Sequence, residues 1–197
     1  MNVQEATTRR LPDLKGRYLP ENCRETINTI LKETYGYEQF RNLEIYDDLS
    51  KGKEKLCISQ GQLIENVILE AEKAWKGETQ VDNILLTAPT GSGKSLLFQL
   101  PAIYLGKEYN LLTIVVSPLK ALIVDQVESL QELGYMRVAY ASSDLSPEQK
   151  MEVYRQVREG EIDLFYLSPE LLLSYDIKHF VGERRIGLVV VDEAHTV

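Results

Sequence analysis

Five short apolar runs, rich in branched side chains, alternate with helical patterns from residue 83 onward. The runs are NILLTAP (83–89), LLTIVVSP (111–118), MRVAYAS (136–142), IDLFYLSP (162–169) and IGLVVVDE (186–193). Each is too short for an isolated helix, and none has the period-two polarity of a half-exposed antiparallel strand. The helical patterns between them are KSLLFQLPAIYLG (94–106), LKALIVDQVESLQELG (119–134), PEQKMEVYRQVREG (147–160) and PELLLSY (169–175). This alternation predicts an α/β fold, with a parallel sheet covered by helices on both faces.

The first 58 residues have a different texture, in which prolines, glycine and charged residues separate short apolar positions. Their clearest pattern is ENCRETINTILKETY, which predicts an amphipathic helix from about Glu21 to Tyr35. The segment DDLSKGKEK (47–55) predicts an exposed turn. We expect residues 1–58 to form a small, mostly helical accessory segment.

A second amphipathic helix is expected next, because GQLIENVILEAEKAW (61–75) places its apolar residues on one helical face. Gly77 should end this helix, since glycine readily adopts the left-handed conformation found at helix ends. Residues 59–197 are then long enough to form one ordinary domain with a buried core.

Composition narrows the class of protein. Hydrophobic residues at 44 % and charged residues at 26 % are typical of a globular chain. No apolar stretch could span a bilayer and the polar start lacks a signal-peptide core, so a cytoplasmic protein without a membrane partner is expected. Cys23 and Cys57 have no metal-ligand spacing and are expected to be reduced thiols. A net charge of −8 argues against a broad basic nucleic-acid surface, but not against a narrow groove of backbone amides and hydroxyls.

A phosphate-binding motif follows the first apolar run. The segment APTGSGKS (88–95) matches the P-loop pattern, with alanine in place of its usual first glycine. Lys94 is placed to reach the β- and γ-phosphates, and the Ser95 hydroxyl to hold magnesium. The backbone N–H groups of the loop, with the positive end of the following helix, would cradle the phosphates. The motif predicts that ATP binds with Mg²⁺. The loop residues expected at the phosphates are Thr90, Gly91, Ser92 and Gly93.

Two adjacent carboxylates follow the last apolar run. VVV (189–191) predicts a buried central strand whose carboxyl end places Asp192 opposite the P-loop. Asp192 can hold magnesium through water, and Glu193 can polarise the water that attacks the γ-phosphate. His195 completes the sequence DEAH and is expected to couple the nucleotide site to a neighbouring domain or nucleic acid.

Four sequence blocks in this order resemble RecQ-type DNA helicases of superfamily 2. They are TGSGKSL with FQLPA (90–102), SPL with DQV (117–127), LSPEL (167–171) and DEAH (192–195). The resemblance covers roughly residues 59–197 and implies a RecA-like P-loop NTPase domain that is truncated after DEAH. It also implies a second RecA-like domain in the full-length protein, so that the isolated chain would hydrolyse ATP weakly or not at all.

By the same resemblance, loops at the ends of three strands would lie along a nucleic-acid strand. Such loops can present N–H and hydroxyl donors to phosphates without reading bases. The structural alternative for each Ser-Pro is that it only breaks a strand before a helix. The expected partner is single-stranded or partly duplex DNA, with RNA as the alternative. The residues implied are Ser117, Pro118, Leu119, Lys120, Ser142, Ser143, Ser168 and Pro169.

The resemblance further implies an adenine-reading segment upstream of the P-loop, and the chain offers two partial matches. YGYEQFR (35–41) has the aromatic and arginine pattern, but Glu44 stands where the family has its glutamine. SQGQ (59–62) has the Gly-Gln ending before a helix. An amide both donates to and accepts from adenine, whereas a carboxylate only accepts. Gln62 is therefore favoured as the adenine reader, with Gln60 nearby.

Two functions of different classes remain open from the sequence. The first is the nucleotide-binding N-terminal portion of an ATP-dependent DNA helicase or translocase, acting in DNA repair, recombination or defence. The alternative is an ATP-binding regulatory or scaffold module without unwinding activity, in which ATP orders a surface for a protein partner. A small-molecule P-loop kinase ranks third, because the DEAH, SPLK and LSPE segments argue against it.

Overall fold

The computed structural model describes residues 23–46, 55–86 and 91–193. The accessory segment in these ranges contains helix α1 (Glu25–Tyr35) and a hairpin of strands β1 (Asn42–Tyr46) and β2 (Lys55–Ser59). The expected helix is confirmed from Glu25 onward, and the expected turn at 47–54 lies outside the described residues. The hairpin was not predicted, because its strands are short and flanked by charged residues.

The remaining elements follow the predicted alternation of helices and strands. Strands β3 to β6 form a parallel sheet in the order β4-β5-β3-β6, as predicted. The short helix α7 was not anticipated from the sequence. In chain order the elements are α2 (Gln60–Trp75), α3 (Leu96–Tyr109), β3 (Leu112–Val116), α4 (Lys120–Glu132), β4 (Val138–Ala141), α5 (Pro147–Glu159), β5 (Leu164–Leu167), α6 (Pro169–Ser174), α7 (Ile177–Val181) and β6 (Ile186–Val191).

The buried side chains form two clusters, one on each face of the sheet. Alternate residues of β5 divide between them: Tyr166 joins the cluster with α1 to α4, and Phe165 joins the cluster with α5 and α7. Helices therefore cover both faces, which confirms the predicted α/β architecture. Helix α1 belongs to the first cluster, where Ile27 and Ile30 are almost fully buried, so the accessory helix packs on the core of the sheet.

Local sequence explains how α2 begins and ends. Ser59 precedes the helix, and the Gln62 side chain accepts a hydrogen bond from the Ser59 backbone N–H at 3.0 Å, forming a capping box. Gly77 follows the helix with φ of 80°, the left-handed conformation expected of a glycine at a helix end. The predicted helix and its stop are thus confirmed.

Two sequence predictions at the sheet were wrong. The run NILLTAP has no regular structure over residues 83–86, and residues 87–90 lie outside the described ranges. Strand β6 is an edge strand among the described residues rather than a central one, and Val189 and Val191 are 57 % and 52 % exposed. A strand requires a hydrogen-bonded neighbour, and apolar periodicity alone does not show whether one is present.

A buried carboxylate ties α3 to the amino edge of the sheet. Asp163 is fully buried and accepts hydrogen bonds from the Tyr135 hydroxyl at 2.9 Å, from Arg137 Nε at 2.6 Å and from Arg184 Nη2 at 3.0 Å. A side chain at Gly106 would place its Cβ 2.3 Å from Asp163 Cγ. The close approach of α3 to this network therefore requires glycine at that position.

Arg24 ties the start of α1 to α2 and α3. Its Nε donates to Glu65 at 2.7 Å, its Nη1 donates to Glu72 at 2.7 Å, and its guanidinium lies 4.8 Å from the centre of the Tyr104 ring. Burial raises the pKa of Glu72, but hydrogen bonds from Arg24 and Tyr109 outweigh it and hold that pKa below its usual value. The accessory segment is thus anchored through a charged network as well as through apolar packing.

The remaining sequence expectations concern thiols and the membrane. Cys23 and Cys57 are free thiols, as expected. Burial and the nearby charge of Glu65 raise the pKa of Cys23, which makes that thiol less reactive. In the described ranges, no helix has both the length and the apolar character needed to cross a membrane.

Candidate active site

The described part of the P-loop has the backbone that its glycines predicted. Gly91 and Gly93 have φ of 80° and 78°, in the left-handed region that favours glycine. Helix α3 begins directly after Ser95, whose side chain makes no capping hydrogen bond to the helix. The Ser92 hydroxyl is buried without a hydrogen-bond partner in the described residues. Thr90 lies outside these residues.

Gln60 connects the P-loop to the accessory segment. Its side chain is 2 % exposed, and its Nε2 donates to the Ser92 carbonyl at 3.1 Å. Its Oε1 accepts from the Arg41 backbone N–H at 3.2 Å, while its own backbone N–H donates to the Arg41 carbonyl at 2.9 Å. Backbone groups thus bind both Oε1 and Nε2 of Gln60, and the bond from Nε2 holds the P-loop at Ser92.

The hairpin brings the two partial matches for an adenine-reading segment together. Strands β1 and β2 are antiparallel, and Asn42 pairs with Ser59. Arg41, which ends the first partial match, therefore lies beside Gln60 in the second, with 18 residues of hairpin between them. The two partial matches are therefore separate in the sequence but adjacent in the structure, next to the P-loop.

The side chains proposed to face the nucleotide base have different surroundings. Gln62 is partly exposed and its Oε1 is used by the capping box of α2. Tyr35 and Tyr37 stack with ring centres 6.4 Å apart, and Tyr37 is 51 % exposed. Tyr35 is partly buried against the core, and burial raises the pKa of its hydroxyl. Of the two tyrosines, Tyr37 is the one with an open ring surface.

Of the two carboxylates, Glu193 lies next to the P-loop lysine. Lys94 Nζ is 3.5 Å from Glu193 Oε1, with the two side chains 34 % and 23 % exposed. The Asp192 backbone N–H continues the sheet by donating to the Val116 carbonyl at 2.9 Å. Glu193 has φ of 51°, and its N–H donates to Asp192 Oδ1 at 3.0 Å, so the chain turns sharply here. His195 lies outside the described residues.

The loops that follow β3, β4 and β5 meet at the same edge of the sheet. Lys120 Nζ donates to the Ser143 hydroxyl and lies 3.1 Å from Asp144 Oδ1. The side chain of Ser142 accepts from the Asp144 N–H at 3.3 Å, and that of Ser168 caps α6 by accepting from the Leu171 N–H. The sequence did not identify Asp144, although its position directly after SS in ASSD (141–144) would have pointed to it.

Other residues of this edge differ in their exposure. Ser117 is 2 % exposed, and its hydroxyl has no hydrogen-bond partner in the described part of the chain. Pro118 is partly exposed, Leu119 is 50 % exposed and Lys120 is exposed at the start of α4. Pro169 is partly exposed at the first position of α6. The edge therefore exposes Leu119, Lys120, Ser143 and Asp144, whereas Ser142 and Ser168 are buried, as Ser117 is.

Comparison with known proteins gives a consistent set of relatives. Residues 62–197 match the family described as DEAD/DEAH box helicase. The chain is 34 % identical over 174 residues to ATP-dependent DNA helicase Q-like 5 of Arabidopsis thaliana. It is 33 % identical over 174 residues to ATP-dependent DNA helicase RecQ of Synechocystis sp., and 31 % identical over 169 residues to RecQ of Bacillus subtilis. These matches cover 88 %, 87 % and 86 % of this chain, but 16 %, 30 % and 23 % of the relatives.

A solved structure shares the fold. The DUF1998 helicase MrfA, determined in complex with DNA and AMPPNP, superposes with a TM-score of 0.54 at 22 % sequence identity. The match covers 91 % of this chain and 22 % of that one. At this level of identity the likeness supports the α/β architecture alone.

Proposed function

Because the chain belongs to the DEAD/DEAH box helicase family, we propose that it is the nucleotide-binding N-terminal portion of an ATP-dependent DNA helicase or translocase similar to RecQ. The observation that carries the proposal is the ion pair between Lys94 of the P-loop and Glu193, in which Nζ and Oε1 lie 3.5 Å apart. A cation for the phosphates and a carboxylate for water, held face to face, are the groups that hydrolysis of a nucleoside triphosphate needs.

The roles of the site residues follow from their chemistry. Lys94 would bind the β- and γ-phosphates, which would replace Glu193 as its ionic partner. Glu193, released from that ion pair, would accept a proton from the attacking water. Ser92 supports binding at this position, because its buried hydroxyl lacks a partner among the described residues.

Ser95 of the P-loop and Asp192 are the residues that would hold a magnesium ion. The Ser95 hydroxyl is not used to cap α3, and Asp192 lies at the carboxyl end of β6, so both are oxygen donors of the kind Mg²⁺ prefers. When bound, the ion neutralises negative charge on the phosphates. Ser95 and Asp192 would hold it, and Asp192 would also fix the turn through its hydrogen bond to the Glu193 N–H.

The edge formed by the loops after β3, β4 and β5 would bind the sugar-phosphate backbone of DNA. Lys120 supplies a positive charge there and Ser143 an exposed hydroxyl, whereas Ser117, Ser142 and Ser168 are buried in the loops of this edge. Such contacts position a strand without reading its sequence, and they suit a chain whose net charge is −8. Gln62 and Tyr37 remain the candidates for contacting the base of ATP, and His195 for coupling the two sites.

The chain spans between about one sixth and one third of the length of the relatives it matches. We therefore assign unwinding or translocation to the full-length protein, with a second RecA-like domain completing the ATP site. The proposed setting is the cytoplasm, in DNA repair, recombination or defence. The isolated chain should hydrolyse ATP slowly, because arginine contributions from a second domain are worth about 10³–10⁵ in rate.

The test is ATP hydrolysis by the full-length protein with and without single-stranded DNA. We expect DNA to stimulate turnover, and both Lys94→Ala and Glu193→Gln to abolish it. The matched controls Lys107→Ala and Glu108→Gln alter exposed residues at the other end of α3 and should leave turnover unchanged. Nucleotide binding without DNA-stimulated turnover would instead favour a regulatory or scaffold module.

A further inference from the structure

A buried glutamine joins the elements that lead to the nucleotide site and to the proposed DNA edge. Gln99 is 5 % exposed and lies in the first turn of α3. Its backbone N–H donates to the Ser95 carbonyl at 2.9 Å, so the residue is tied directly to the end of the P-loop. A buried amide must satisfy its donors and its acceptor within the protein.

The Gln99 side chain does so with partners from three other elements. Its Nε2 donates to Gln126 Oε1 of α4 at 2.8 Å and to the Tyr166 hydroxyl of β5 at 3.2 Å. Its Oε1 accepts from the Tyr35 hydroxyl of α1 at 3.3 Å. Both amide hydrogens and the carbonyl oxygen are thus engaged. A displacement of any partner should be felt by the other two, since buried hydrogen-bond networks act as a unit.

Tyr166 connects Gln99 to the end of β6, which Asp192 follows. Tyr166 pairs with Val115, which pairs in turn with Val190, so the three residues form one row across the sheet. Asp192 directly follows the end of β6, two positions beyond Val190. Burial raises the pKa of the Tyr166 hydroxyl, the hydrogen bond from Gln99 opposes this, and the charge of Asp192 raises it further. Tyr166 is therefore in electrostatic contact with a residue of the proposed magnesium site.

Gln126 connects Gln99 to the loop before α4, which is part of the edge proposed to bind DNA. Gln126 lies in α4, the helix that starts at Lys120 and takes Leu119 as its N-cap. A helix moves largely as a rigid rod, so a strand of DNA that displaces Lys120 would carry Gln126 with it. The Gln99 amide is the group that Gln126 contacts inside the core.

We propose that Gln99 is a positioning residue that couples DNA at the loop before α4 to ATP hydrolysis at Asp192. The inference rests on the proposed helicase function. In this arrangement DNA binding displaces α4, and the hydrogen bond from Gln99 to Gln126 transmits the displacement to the Gln99 side chain. The movement of Gln99 then changes the position of Ser95, at the end of the P-loop, and of Tyr166. A purely structural role would predict lower stability but unchanged coupling.

The experiment measures steady-state ATP hydrolysis by the full-length protein, with and without single-stranded DNA, for Gln99→Met and Tyr166→Phe. Both variants keep the buried volume and remove hydrogen bonds of the network. We expect KM for ATP and the DNA-free rate to change little, and the stimulation by DNA to fall by about 2- to 30-fold. The matched control is Tyr135→Phe, which loses one buried hydrogen bond to Asp163 at the opposite edge of the sheet and should keep full stimulation.

The outcomes separate the two proposals. Stimulation of both network variants to the wild-type level overturns the coupling role and leaves the helicase proposal standing. Equal losses in the two network variants and in Tyr135→Phe also overturn it, because general destabilisation would then explain the effect. A wild-type protein that DNA does not stimulate overturns the proposed function and the coupling role with it. If Gln99→Met does not fold, Tyr166→Phe decides alone.

Discussion

The substitution Gly93→Ala should destabilise the P-loop far more than Gly91→Ala, although the two glycines have nearly the same backbone conformation. Their φ angles are 78° and 80°. A Cβ at position 93 would lie 2.7 Å from Gln60 Nε2, whereas a Cβ at position 91 would have no atom within 4 Å. The pair therefore separates the cost of the left-handed backbone from the cost of moving Gln60.

Two contributions determine how much each substitution lowers the free energy of unfolding. Alanine in the left-handed conformation costs about 1–2 kcal/mol at either position. Displacement of Gln60 removes its side-chain hydrogen bonds to the Ser92 carbonyl and the Arg41 N–H, each worth about 0.5–1.5 kcal/mol. The free energy of unfolding should thus fall by about 1–2 kcal/mol for Gly91→Ala and by about 2–5 kcal/mol for Gly93→Ala.

Urea denaturation, followed by the fluorescence of Trp75, measures this difference. Trp75 is the single tryptophan of the chain and packs on Tyr109, with ring centres 4.9 Å apart. The double variant Gln60→Ala/Gly93→Ala provides the control, because it removes the atoms with which the new Cβ collides. Its loss of stability should be smaller than the sum of the two single losses. Equal losses for Gly91→Ala and Gly93→Ala, or strict additivity in the double variant, would refute the role given to Gln60.

Two further predictions concern the charged networks that hold the domain together. Asp163→Asn should lower the free energy of unfolding by about 3–5 kcal/mol because it breaks a buried ion-pair network. Glu152→Gln, in the exposed cluster around Arg155, should lower it far less, because solvent screens exposed ion pairs. Urea denaturation of both variants checks the contrast, and similar losses would contradict it. Because the folded-state pKa of Glu72 is depressed, its contribution to stability is present above the unfolded pKa and is lost as the pH falls through the folded pKa. Arg24→Met should therefore flatten the loss of stability below about pH 4.5, and an unchanged acid limb of the stability curve would count against this.

Local patterns predicted most of the fold because they act over a few residues. The apolar runs and amphipathic periods correctly predicted the parallel strands β3 to β6 and the helices between them. Gly77 and the P-loop glycines were predicted from backbone conformations that glycine favours. The carboxyl-end rule for parallel sheets predicted Asp192 and Glu193 opposite the P-loop, and the ion pair between Lys94 and Glu193 agrees with this for Glu193.

Long-range pairing explains what could not be predicted. Nothing in the local sequence shows that Arg41 and Gln60 are neighbours, because the hairpin that joins them has short strands with little apolar periodicity. The burial of β6 was overestimated because the sequence of an apolar strand does not show whether another strand pairs with each of its sides. The Gln99 network was missed because its side-chain partners come from three other elements, far apart in the sequence.

The division of roles between Lys94 and Glu193 is tested most directly by measuring ATP affinity and single-turnover hydrolysis on the same full-length variants. We expect Lys94→Ala to weaken ATP binding, because it removes the cation of the P-loop. We expect Glu193→Gln to keep or improve ATP affinity, since it removes the carboxylate that pairs with Lys94. The same variant should slow hydrolysis by about 10²–10⁴, the usual contribution of a general base. Hydrolysis at the wild-type rate by Glu193→Gln would contradict the proposed site.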